Sequence, residues 1–128
     1  MKSRILMIED NEQNRYLETF LLEHHGHQVV WEPDGPSGLA RALSEPFDLI
    51  LLDIQLPGMD GYAVARALRA NAGTRHTPIV AVTSFAMAGD RESVFSAGCD
   101  GYLEKPIDPD TFVTQVASFL PAPPEPAP

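Results

Sequence analysis

A single cysteine, Cys99, stands among the 128 residues. No internal disulfide can form, and so low a thiol count fits a reducing cytoplasm. The thiol itself reads as a small packed side chain rather than a reactive one. Basic residues are also scarce, nine Lys and Arg against eighteen Asp and Glu, for a net charge of -9. Phosphate-backbone binding needs clustered cations, and here they are scattered, which argues against direct contact with nucleic acid. Long hydrophobic runs are missing too. No stretch approaches the roughly 20 apolar residues that cross a bilayer, so no membrane insertion is expected. The opening MKSRILMIEDNE meets charge too early for a signal peptide. What is there is an ordinary apolar content of 44% in a length typical of one domain. The acidic balance suits either protein partners or a place that gathers divalent cations.

Strand and helix signals alternate along the chain. Arg4–Ile8 reads as a buried strand, followed by a helix capped by Asn11 with Tyr16, Leu17, Phe20 and Leu21 on one face. His24 and His25 close that helix and Gly26 stops it. Residues 28–32 form a second strand. A helix starting near Pro36 carries Leu39, Ala40 and Leu43. Residues 47–53 are apolar on consecutive positions, which predicts burial on both faces of a parallel sheet. A helix over 62–72, with Ala63, Val64, Ala67 and Leu68 inward, ends at Gly73. Residues 78–82 are a fourth strand, 86–97 a weaker helix stopped at Gly98, and 101–103 a short fifth strand. Asp108 opens a last helix carrying Phe112, Val113, Val116 and Phe119. The closing PAPPEPAP suits neither helix nor strand and reads as an extended tail or the start of a linker. Five alternations predict a doubly wound α/β sheet of one domain.

In a parallel sheet ligands bind at the carboxyl ends of the strands. Glu9 and Asp10 follow the first strand, Asp53 the third, Thr83 and Ser84 the fourth, and Lys105 with Pro106 the fifth. Taken singly, each of these is a turn-former or a cap. Together they place three carboxylates, a hydroxyl pair and an ammonium on one rim. Crowded acids repel unless a cation intervenes, and an all-oxygen donor set favours Mg²⁺. That combination points to phosphoryl chemistry, with a carboxylate able to act as acceptor. Pro57 and Gly58 set the turn after Asp53, Asp60 caps the next helix, and Trp31 reads as packing. His24, His25 and His27 fall at the far end of their helix, away from the acids, and read as solvated.

Four motifs, in order, carry a resemblance: MIEDN (7–11), LLDIQLPGMDGY (51–62), AVTSF (81–85) and GYLEKPID (101–108). Over about residues 3–120 the chain resembles the receiver domains of two-component response regulators. The resemblance implies a flavodoxin-like sheet of order 2-1-3-4-5 with five helices, a receiver domain over 1–120, and a tail or linker over 121–128. It implies Asp53 as phosphoacceptor from a phosphohistidine of a sensor histidine kinase or phosphotransfer protein. Mg²⁺ is then held by Glu9, Asp10, Asp53 and the backbone carbonyl of Gln55. Lys105 pairs with the acceptor, the Lys105–Pro106 bond is cis, and Thr83 with Tyr102 forms the switch. Gln55 and Phe85 flank the path of a hydrolytic water, and bulky Phe85 predicts slow to moderate loss of the phosphoryl group.

Phe85, Met87 and Tyr102 mark a partner face around the fourth helix, fifth strand and fifth helix, directed at a downstream protein target. Phosphorylation-dependent dimerisation stays open. Such a domain signals and is not a turnover enzyme. The segments MIEDNEQNR and TSFAMAGDRE resemble stand-alone regulators of the cell-fate and polarity type, and also receivers of hybrid histidine kinases; the stand-alone form is the expectation. The alternatives are a Mg²⁺-dependent aspartyl-phosphate phosphatase or phosphotransferase, which commonly has an acid where Gln55 stands, and a pseudo-receiver that binds partners unphosphorylated.

Overall fold

The computed structural model describes residues 3–56, 58–84 and 88–120, with 88 and 89 as backbone only. Five strands, β1 (Arg4–Ile8), β2 (Gln28–Glu32), β3 (Leu49–Asp53), β4 (Ile79–Thr83) and β5 (Gly101–Glu104), alternate with five helices. The helices are α1 (Glu12–His24), α2 (Gly35–Ser44), α3 (Gly61–Ala70), α4 (Ala88–Ser96) and α5 (Phe112–Ala117). The strands form one parallel sheet in the order β2-β1-β3-β4-β5. This is the expected flavodoxin-like architecture.

Side-chain alternation along the strands divides the interior into two cores. Leu6, Ile8, Ile50, Leu52, Ile79 and Ala81 pack with Val64, Ala65 and Leu68 of α3, with Val94 of α4 and with Ala97 just after it. Ile5, Met7, Leu49, Leu51, Val80 and Val82 pack with Leu22 of α1 and with Phe112 and Val116 of α5. Every residue of β3 and β4 is buried, because helices cover both faces of the central strands. Among the described residues no helix is long and apolar enough to cross a membrane.

The caps fall where expected. Asn11 accepts from the Asn14 backbone N–H, Asp60 accepts from that of Ala63, and Gly26 follows α1 at φ +90°. The helix faces are less well anticipated. The buried residues of α1 are Glu18 and Leu22, while Tyr16 and Phe20 stand 72% and 57% exposed. Helical spacing explains the correction. Asn14, Glu18 and Leu22 lie at i, i+4 and i+8, so turning Leu22 into the core turns Tyr16 and Phe20 out. In α2 the close-packed positions are Gly35, Gly38 and Ala42, Leu39 is only half-buried and Leu43 is exposed. Gly38 faces Ile8 so closely that a Cβ there would come within 2.6 Å of its side chain. In α3, Ala65 joins Val64 and Leu68 in the core, and Ala63 and Ala67 are half-buried. The last helix begins at Phe112 rather than Asp108, after a turn in which the Asp108 carboxylate accepts the Asp110 N–H. Pro57, Ala86 and the tail 121–128 lie outside the described residues.

One arginine ties the base of the sheet, opposite the rim of carboxylates. Arg69 donates to the carbonyls of Gly98 (2.8 Å), Arg75 (2.9 Å) and Thr77 (2.7 Å) and pairs with Asp100 (2.8 Å). Asp100 in turn accepts the Ile79 N–H at 2.8 Å, at the start of β4. Removing Arg69 strands several acceptors at once, so Arg69→Ala is expected to lower unfolding stability by ~3 kcal/mol. A urea midpoint unchanged from wild type would contradict this.

Glu18 is only 2% exposed, and burial, reinforced by the negative charge of Glu9, raises its pKa from 4.5 to about 8. The unfolded chain releases this proton near pH 4.5 and the folded chain holds it to about 8, so stability drains away as pH rises across that window. Retaining the proton costs ~1.4 kcal/mol of stability for each pH unit crossed within it. Glu18→Leu is therefore expected to raise Tm by roughly 10 °C at pH 8, with little gain at pH 4.5, in pH-resolved thermal unfolding. Parallel profiles for the two proteins would show that Glu18 does not hold its proton.

Candidate functional site

Strand alternation also sets the chemistry at the rim. Glu9 continues the face of Ile5 and Met7, and Asp53 continues that of Leu49 and Leu51, so both carboxylates emerge from the sheet on the side of α1 and α5. Parallel pairing of β1 with β3 keeps them level: Ile8 is opposite Leu52, one residue before each acid. Both are 2% exposed. Lys105 comes from beyond β5, where its backbone N–H bonds the Thr83 carbonyl at 2.8 Å and the Lys105–Pro106 peptide is cis. Its Nζ lies 3.2 Å from both carboxylate oxygens of Glu9 and 3.2 Å from Asp53 Oδ2.

The electrostatics follow from this geometry. Burial raises the pKa of Glu9, and the Asp53 charge adds to the rise while Lys105 opposes it. Burial works against charge on Lys105, yet the Asp53 and Glu9 carboxylates outweigh it and leave its pKa raised. The ammonium therefore stays charged and partly compensates two buried acids. Asp10 stands exposed beside them, and ligand oxygens of Glu9, Asp10 and Asp53 all lie within 4.8 Å of one another. Three carboxylates against one ammonium leave room for a further cation, and an oxygen-only set with one solvent-facing member fits a hard, partly hydrated ion such as Mg²⁺.

The start of the loop after β3 contacts Asp53 directly. The Gln55 backbone N–H bonds Asp53 Oδ1 at 2.9 Å, which fixes the carboxylate's rotation. The Gln55 side-chain oxygen accepts the Ser84 N–H at 3.3 Å and so spans the ends of β3 and β4. Gly58 takes φ +77°. At Gly61 a Cβ would sit 2.5 Å from Ile54 Cα and 2.6 Å from the Asp53 carbonyl oxygen, so only glycine lets α3 start this close to the end of β3.

Thr83 is buried at the end of β4. Tyr102 is opposite Ala81 in the β4–β5 pairing and packs against the core under α4, on the same face of the sheet as Thr83. Its ring meets Phe95 edge-on at 6.4 Å, with the Arg91 guanidinium 5.1 Å away. Phe95 is half exposed and was not anticipated. Phe85 and Met87 lie outside the described residues.

Other contributors were also missed. Asn14 donates its amide to Glu9 at 3.3 Å, and the Trp31 indole N–H donates to the Glu9 backbone carbonyl at 2.7 Å. Trp31 is thus more than packing, because it anchors the backbone beneath a site carboxylate. A polar Asn14–Glu18 pair, four apart and one turn before Leu22, was the available signal for a helix face turned toward the acids. The histidines remain remote: His24 stacks on Phe20, and the His25 ring bonds the Leu21 carbonyl.

Residues 5–117 match the family model of the response regulator receiver domain. The polar-differentiation response regulator DivK of Brucella abortus is 38% identical over 120 residues, covering 94% of this chain and 98% of that protein. The receiver domain of a sensor histidine kinase of Pseudomonas aeruginosa, solved with a magnesium ion coordinated in its active-site cleft, is 34% identical. It superposes with a TM-score of 0.86 over 93% of this chain and 98% of its own. The chemotaxis response regulator CheY4 of Vibrio cholerae gives a TM-score of 0.90 at 27% identity over 94% of this chain and 100% of its own. With its sheet order, its rim of carboxylates and its sequence in agreement, the chain belongs to the response regulator receiver domain family.

Proposed function

We propose that Asp53 accepts a phosphoryl group from a phosphohistidine of a sensor kinase or phosphotransfer protein. An Asp53 carboxylate oxygen attacks phosphorus as the phosphorus–nitrogen bond breaks, and the imidazole leaves with the electron pair. The observation that carries this proposal is Lys105 Nζ at 3.2 Å from both Glu9 and Asp53, with the Glu9, Asp10 and Asp53 oxygens within 4.8 Å. Glu9, Asp10, Asp53 and the Gln55 carbonyl would hold Mg²⁺, which would supply charge neutralisation for the phosphoryl oxygens. Lys105 then moves its pairing from the carboxylate to the phosphoryl group. Asn14 and Trp31 keep Glu9 in place from behind.

The new charge biases a two-state element. Thr83 swings its hydroxyl toward the phosphoryl oxygens, and Tyr102, on the same sheet face, follows inward. That movement changes the surface made by α4, β5 and α5, where Phe95 and Arg91 flank Tyr102, and so alters contact with a cytoplasmic protein target. The domain acts as a signalling module, as a stand-alone regulator or as part of a longer protein.

Incubation with acetyl phosphate and Mg²⁺ is expected to add one phosphoryl group by intact mass, with none on Asp53→Asn and none after chelation of the metal. Uptake by Asp53→Asn equal to wild type would place the acceptor elsewhere. The Gln55 side chain, held across the rim by Ser84, restricts approach of water to the phosphoryl group. The aspartyl phosphate is therefore expected to survive for minutes or longer at neutral pH, and a half-life of seconds in a chase by mass would contradict that.

A further inference from the structure

Among the described residues, α4 rests chiefly on β5. Val94 is buried in the core, while Arg91 and Phe95, four apart and so on one face of the helix, stay near the surface. Both close on Tyr102. The Phe95 ring meets it edge-on at 6.4 Å and an interplanar angle of 83°, and the Arg91 guanidinium lies over it, 5.1 Å from the ring centre. Such contacts depend on placement, because the positive edge of one ring meets the other's negative face and a cation sits over that face. They hold Tyr102 only while its ring stays in this place, since Val94 ties α4 itself to the core.

Tyr102 is tied to the rim through its strand. It is opposite Ala81, two residues before Thr83 and on the same sheet face, and Lys105, just beyond the end of β5, pairs with Asp53 at 3.2 Å. Arg91 and Phe95 therefore act on the position of Tyr102 that accompanies the Lys105–Asp53 pair. A contact made in only one of two states weights that state by its own strength. An exposed cation–π contact weights it roughly two- to fivefold, and an edge-on aromatic pair roughly two- to tenfold. We infer that Arg91 and Phe95 clasp Tyr102 in its resting position and so set how readily a phosphoryl group on Asp53 throws the switch. This role rests on the reading of Thr83 and Tyr102 as that switch, and adds that α4 holds it back. Because coupling between site and switch is reciprocal, loss of either side chain makes the rim favour its phosphoryl group more strongly.

The chain has three tyrosines, so 3-fluorotyrosine gives three fluorine resonances, and Tyr102→Phe assigns the one that matters. Its broadening by a soluble nitroxide, without ligand, is compared in wild type, Arg91→Ala, Phe95→Ala and Arg91→Lys. Arg91 is exposed and Phe95 half-exposed, so neither alanine endangers the fold. Both alanine variants are expected to broaden less, because the released ring moves inward, while Arg91→Lys keeps a cation and stays near wild type. Side chains that merely cover the ring would give the opposite sign. Affinity for fluoroberyllate, a phosphoryl mimic, in saturating Mg²⁺ is expected to rise roughly two- to fivefold in Arg91→Ala and roughly two- to tenfold in Phe95→Ala. Equal or greater broadening in the alanine variants, or no gain in affinity, overturns the clasp. Fluoroberyllate bound equally by Asp53→Asn counts instead against Asp53 as acceptor, and the ligand-free broadening still decides the clasp.

Discussion

The ammonium of Lys105, shared between the carboxylates of Glu9 and Asp53, is the interaction on which the rim depends. Two acids buried to 2% exposure are costly to keep charged without compensation. The ammonium supplies part of it from a third chain segment, held in place by the backbone bond from Lys105 to the Thr83 carbonyl. One positive charge cannot balance three carboxylates. The site is thus left short of positive charge, a shortfall that a hard cation would fill and that must be filled before an anionic phosphoryl group is favoured there.

The sheet turns this local balance into fixed geometry. Parallel pairing of β1, β3 and β4 aligns the carboxyl ends of the strands, and alternation sends Glu9 and Asp53 to one face and Thr83 and Tyr102 to the other. Asp53 pairs with Val82, one residue before Thr83, so a charge change at Asp53 arises on the strand adjoining the one that carries the hydroxyl. At the opposite end Arg69, through Asp100, fixes the start of β4.

The strands and the carboxylates at their ends were legible because consecutive apolar runs ending in acids leave few alternatives, whereas the sheet order rested on the resemblance carried by the four motifs. Leu49–Asp53 is the plainest case. The helix faces were less legible, since α1 carries more apolar side chains than it buries. Tyr16 and Phe20 look like core by composition, yet the core takes Leu22 and the neutral form of Glu18. Packing of Gly38 against Ile8 likewise displaced Leu43 from the expected stripe. Bonds to backbone groups, such as Trp31 to the Glu9 carbonyl, have no sequence period and could not be foreseen.

The most direct test of the charge balance is thermal unfolding of wild type and Lys105→Met, each without and with Mg²⁺. Without metal the variant should melt well below wild type, and Mg²⁺ should raise its Tm by more than it raises that of wild type, because the ion takes over compensation that the ammonium supplied. Equal melting of the two proteins without metal, or an equal rise in both on adding Mg²⁺, would contradict the account.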